Sequence, residues 1–127
     1  MKYTIAIALF IAPFYMVLSS MPAHAATPNQ RCVVVASLAE SAALFYQNNS
    51  SIREMRQATL KIFSEDDGKI SKAESGSIDF IALIMRGLYT GKIYMPQVGA
   101  TLPDMARRLA KKLSNQAYAE CMEKVSL

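Results

Sequence analysis

Histidine is nearly absent from this chain. The single one, His24, falls inside an N-terminal stretch that reads as a secretory leader, so the domain that follows has none. That excludes Ser-His-Asp and Cys-His nucleophile arrangements. It also argues against the usual zinc sites, because the only soft ligands left are two cysteines expected to bond to each other. No glycine-rich phosphate loop is present. No serine stands three residues before a lysine, so the Ser-x-x-Lys nucleophile is missing as well. Beyond the leader, no apolar run reaches the roughly 18 residues that a membrane span needs. Carboxylates, lysines, tyrosines and hydroxyls are all that remains for chemistry, and no catalytic motif or cofactor site is read from them. The expectation is a protein that is not an enzyme and holds no cofactor.

The leader is read from three features. Lys2 supplies the positive start. Ile5 to Leu18 is apolar apart from Pro13 and Tyr15, and Ala23-His24-Ala25 has the small-x-small form of a cleavage site. Cleavage after Ala25 is expected to leave residues 26–127 as a single domain. No cysteine lies beside the cleavage site, so no lipid anchor is expected. The domain should then fold in an oxidising compartment, secreted or periplasmic, with Cys32 and Cys121 joined. Losing Lys2 lowers the formal net charge from +4 to +3, too small an excess to suggest nucleic acid.

Four helices are read, and no strand pattern of similar strength. Thr27-Pro28-Asn29-Gln30 opens the first as a capping box with proline at the first helical position. It runs to about Gln47, with Val34, Leu38, Ala42 and Phe45 inward and Ser37, Glu40, Ser41 and Asn48 in water. Ser51-Ile52-Arg53-Glu54 caps the second, which buries Ile52, Met55, Thr59, Ile62 and Phe63. The third starts at Ser71 or at Ser77. It is apolar nearly all round through Phe80, Leu83 and Ile84, as the most buried helix would be. Thr101 with Asp104 opens the fourth, whose inner stripe is Leu102, Met105, Leu109, Leu113, Ala117 and Cys121. The fold class is therefore all-α, a four-helix up-down bundle. An even helix count brings the end of helix four beside the start of helix one, where Cys121 meets Cys32.

The run Cys32-Val33-Val34-Val35-Ala36, the Arg-bearing second helix (Arg53, Arg56, Gln57), the apolar helix ending near Leu88-Tyr89 and the closing Tyr118-Ala119-Glu120-Cys121 form one pattern. It resembles small secreted α-helical proteins of Gram-negative bacteria with a cysteine near each end of the mature chain. Those have no assigned function, so the resemblance implies fold and compartment only. The architecture is also similar in kind to periplasmic acid-stress chaperones and to immunity proteins against secreted toxins.

Three stretches are candidates for function. The loop at 91–101 carries Tyr94, Met95 and Val98 beside the stiffening Pro96; it is either an interface or a plug for the bundle. Arg107, Arg108, Lys111 and Lys112 put four cations within two turns, suited to an acidic protein or envelope partner, or simply a solvated face. Residues 64–74 resemble an EF-hand loop. With Gly68 at the loop glycine, Glu65, Asp67, Ser71 and Glu74 fall at ligand positions, but the first position falls on Phe63. The plainer reading is an acidic turn before a capping box. The function expected is binding of another protein or envelope component, in the manner of an immunity protein, inhibitor or chaperone. The alternatives are a calcium-binding helix-loop-helix module using residues 64–74 and a small carboxylate-dependent hydrolase of envelope polymers.

Overall fold

A computed structural model of the protein describes residues 27–63 and 71–125. They form four helices: α1 Pro28–Gln47, α2 Ile52–Phe63, α3 Lys72–Thr90 and α4 Pro103–Val125, with no strand among the described residues. This is the expected all-α bundle, clamped by a Cys32–Cys121 disulfide. The leader expected over 1–25 lies outside the described residues.

Local chemistry sets the helix starts. Thr27 accepts the Gln30 N–H at 3.1 Å, and the Gln30 side chain accepts the Thr27 N–H at 2.8 Å. Ser51 and Glu54 make the same reciprocal pair at 2.9 and 3.0 Å. So do Ser71 and Glu74, which places the start of α3 at Lys72 rather than after Ser77. The α4 start differs from the expectation. Thr101 does not cap it; its hydroxyl turns to the Val98 carbonyl, and Asp104 pairs with Arg107. Pro103 is the first helical residue, because proline needs no N–H partner there and keeps Leu102 out of the helical region. Gly91 ends α3 in the left-handed conformation, φ 80°, and the Ile93 N–H returns to the Gly87 carbonyl at 3.0 Å.

The helices alternate in direction. α4 lies antiparallel on α1, with the disulfide at one end and the 91–102 loop at the other. α3 packs on another side of α1, and the ends of the two helices meet where the Tyr46 and Tyr89 rings stand edge-on, 5.0 Å apart. α2 rests on α3. One core gathers Leu38, Ala42 and Phe45 from α1, Met55 and Phe63 from α2, and Ile81 and Met85 from α3. A second, smaller core joins Ala43, Leu88, Met95 and Ala110.

Three expectations about burial are corrected by this packing. α1, not α3, is the most buried helix, with nine of its 20 residues buried against seven of 19 in α3. Its expected wet face is consequently covered in part. Ser41 is buried, with its hydroxyl donating to the Ser37 carbonyl at 3.1 Å, and Ser37 and Glu40 are half-buried. Leu83 of α3, by contrast, is 59% exposed. In α4 the buried residues are Ala106, Ala110 and Ser114, whereas Leu102 and Met105 stand out in solvent. The physical reason is size. Along α1 the facing positions Cys32, Ala36, Ala39 and Ala43 are small too, and two small-residue stripes let the backbones approach more closely than leucines would allow. The large side chains are displaced to the edge of the contact.

The disulfide joins residues 89 apart in sequence, with Cα atoms 5.5 Å apart. Closing so long a loop restricts the unfolded chain by about 4–5 kcal/mol in the chain-entropy model. Denaturant unfolding with and without reductant should show a loss of that order. Thiol labelling of the unreduced, denatured protein should find no free thiol.

Candidate functional site

The loop after α3 is pinned to the end of α1. Gln47, buried in spite of its polarity, uses both ends of its amide: Nε2 donates to the Pro96 carbonyl at 2.7 Å, and Oε1 accepts the Val98 N–H at 2.8 Å. The Tyr46 hydroxyl donates to the Met95 carbonyl at 2.9 Å. Gln97 returns the contact, donating to the Tyr46 carbonyl at 2.5 Å and to Asn49 Oδ1 at 3.3 Å. Gly99 passes so close to the Gln47 carbonyl that a Cβ there would collide with it. Gln47 and Tyr46 hold the loop through its backbone at residues 95, 96 and 98, so the side chains of Tyr94, Met95 and Val98 are free to differ.

They do differ. Met95 turns inward and completes the second core, 8% exposed. Tyr94 beside it is 87% exposed. Val98 is half-buried, with its N–H held by Gln47. The loop is thus a plug through Met95 and a display surface through Tyr94, not one or the other.

An open groove of about 230 Å³ runs between the loop and α4. Tyr94, Met95 and Pro96 line one wall; Leu109, Lys112, Leu113 and Gln116 line the other. No carboxylate lines it.

The four cations of α4 are all exposed, but they do not form one patch. At about 100° per residue, Arg107 and Lys111 share one line along the helix, and Arg108 and Lys112 share another, about 100° further round. Arg107 pairs with Asp104. Lys111 faces Glu40 of α1. Burial pushes the Glu40 carboxyl above the ordinary range, and the Lys111 charge draws it part of the way back. Of the four, only Lys112 reaches the groove.

The EF-hand candidate runs from Phe63 to Glu74. Glu65 and Asp67 lie outside the described residues. Ser71 and Glu74 are present as the capping box of α3, and Phe63, at the first ligand position, is packed in the first core. Among the described residues no three acidic, cysteine or histidine side chains gather as metal ligands.

Sequence reasoning picked Tyr94, Met95 and Lys112 for this surface, and they line one groove. It missed Gln47, which carries no motif. The only available sign was its place on the Cys32-Ala36-Ala39-Ala43 face of α1, where a polar residue needs a buried partner.

Single substitutions should separate the roles. Tyr94→Ala should leave stability within about 0.5 kcal/mol, because the side chain is in water. Met95→Ala should cost about 2 kcal/mol or more by opening a hole in the second core. Gln47→Ala should cost about 1–3 kcal/mol by breaking two part-buried hydrogen bonds that hold the loop. Urea unfolding of the three variants checks all of these.

Comparison with protein-family models, curated proteins and solved structures gives no match to this chain.

Proposed function

We propose that this protein is exported, is cleaved after Ala25, and acts in an oxidising extracytoplasmic compartment, the periplasm, as a non-enzymatic module that binds another protein or an envelope component. The observation that carries the reading is Tyr94: a large aromatic side chain held in solvent on a loop whose backbone is fixed by Gln47 and Tyr46. Exposed aromatics on rigid supports are the usual anchors of interfaces, since little side-chain entropy is lost when they are covered. Size favours a macromolecule over a small ligand. The groove, at about 230 Å³, lies below the roughly 300–1,000 Å³ typical of small-molecule sites, and it is open. It suits one large side chain of a partner. An immunity-, inhibitor- or chaperone-like role fits such a surface.

A photoreactive benzoylphenylalanine placed at Tyr94, in the protein's own host, tests this. A single discrete adduct is expected, absent when the same group replaces Lys61, an exposed residue of α2. No adduct at 94, or the same adducts from both positions, would overturn the reading.

One observation favours a second reading, the calcium module. Glu74 is 8% exposed, and its Oε2 has no hydrogen-bond partner among the described residues. A buried carboxylate oxygen without a donor is what the last ligand of a calcium loop looks like without its ion. Against it stands Phe63, which offers no oxygen at the first position. Millimolar calcium is therefore expected to raise the Tm little. A rise of several degrees, lost on Asp67→Ala and on Glu74→Ala, would make this the leading reading.

A further inference from the structure

The groove beside Tyr94 is one part of a longer apolar strip. Leu102, Met105, Leu109 and Leu113 follow one another at steps of three and four residues, so they line one side of α4 and the residue before it. Leu102 is 50% exposed and Met105 45%, and the two leucines beyond are half-buried. At about 1.5 Å per residue the strip is about 16 Å long.

Charge marks one edge of it. Arg108 and Lys112 stand one turn apart, each three residues beyond a member of the strip. Neither has an ion-pair partner among the described residues. On the neighbouring line of cations, Arg107 pairs with Asp104, and the Lys111 charge acts on Glu40 of α1. Asp104, one turn before Arg108, is paired with Arg107, and the next carboxylate of α4 is Glu120, two turns beyond Lys112.

We infer that this strip seats an amphipathic helix of a partner protein, with its apolar face on Leu102, Met105 and Leu109, and two carboxylates one turn apart opposite Arg108 and Lys112. The inference rests on the binding-module reading and names the chemistry of the partner. A helix is favoured over an extended segment because the strip is a straight helical edge with no strand beside it to extend. The cation spacing is that of i and i+4 on a helix, which a second helix lying alongside matches with its own i, i+4 pair. A second copy of this chain is disfavoured by charge. A twofold would set two copies of the same basic-edged patch together, like charge facing like charge across the interface.

Two synthetic helical peptides test the inference, each held helical by side-chain lactams and sharing one leucine stripe. One carries glutamates along the flank of the stripe, the other lysines. Fluorescence anisotropy with the oxidised protein should show the acidic peptide binding at least about tenfold tighter, with the gap narrowing as salt rises. Arg108→Glu with Lys112→Glu should reverse the preference. Arg107→Glu with Lys111→Glu, which changes net charge equally, should leave the acidic peptide ahead. Tyr94→Ala should weaken both peptides, and thermal melts confirm that each variant is folded. Equal binding of the two peptides, or no binding of the acidic one, would overturn the inference. So would binding to phosphatidylglycerol vesicles in place of the peptides, or a dimer in sedimentation that disperses on Tyr94→Ala. If the peptides fail while the Tyr94 cross-link forms, only the partner's chemistry falls; if the cross-link fails too, the binding-module reading falls with it.

Discussion

The close contact of α1 with α4 is the constraint on which the other features depend. Alanine, serine and cysteine occupy the facing stripes, so the two backbones can lie near each other without large side chains between them. Small residues bury little apolar area, and such a pair gains correspondingly little from the hydrophobic effect. The contact is closed at both ends by other means. At one end it is covalent, through Cys32 and Cys121. At the other, Gln47 and Tyr46 hold the chain that leads into α4 by hydrogen bonds to its backbone.

The surface proposed for binding follows from the same contact. Because Ala106, Ala110 and Ser114 face α1, the helical period turns Leu102 and Met105 outward and leaves Leu109 and Leu113 at the edge. The rotation also divides the four cations. Arg107 and Lys111 come to lie toward charges of this chain, and Arg108 and Lys112 border the apolar strip. A contact that is economical in side-chain volume inside thus leaves a large apolar edge outside. The loop adds Tyr94 to that edge while Met95, the next residue, seals the core behind it.

Hydroxyls in the interior are handled by one local device. Ser41, Thr59 and Ser77 each donate to the carbonyl four residues earlier, at 3.1, 2.8 and 3.0 Å. A helix can therefore bury these side chains without a partner from another element. The carboxylate of Glu74 has no such option for both of its oxygens. One accepts the Ser71 N–H, and the other has no donor among the described residues, which is why that position keeps the calcium reading in view.

Helix number, order and most boundaries were readable from the chain, because capping boxes and the period of apolar residues are local signals. The pairing of Cys32 with Cys121 was readable because they are the only two cysteines and four alternating helices bring the two ends together. Tyr94, Met95 and Lys112 could be chosen because a long loop and a run of cations are visible in one dimension. Which side of each helix faces inward was decided by the tertiary structure. Period alone marks the large apolar residues of α4 as its inner stripe, yet the partner helix presents alanines, and close approach selects the small side. The start of α4 at Pro103 and the role of Gln47 were likewise settled by the path of the loop against α1. Hydrogen bonds between residues some fifty positions apart leave no local pattern in the sequence; they exist only once the fold has brought the two segments together.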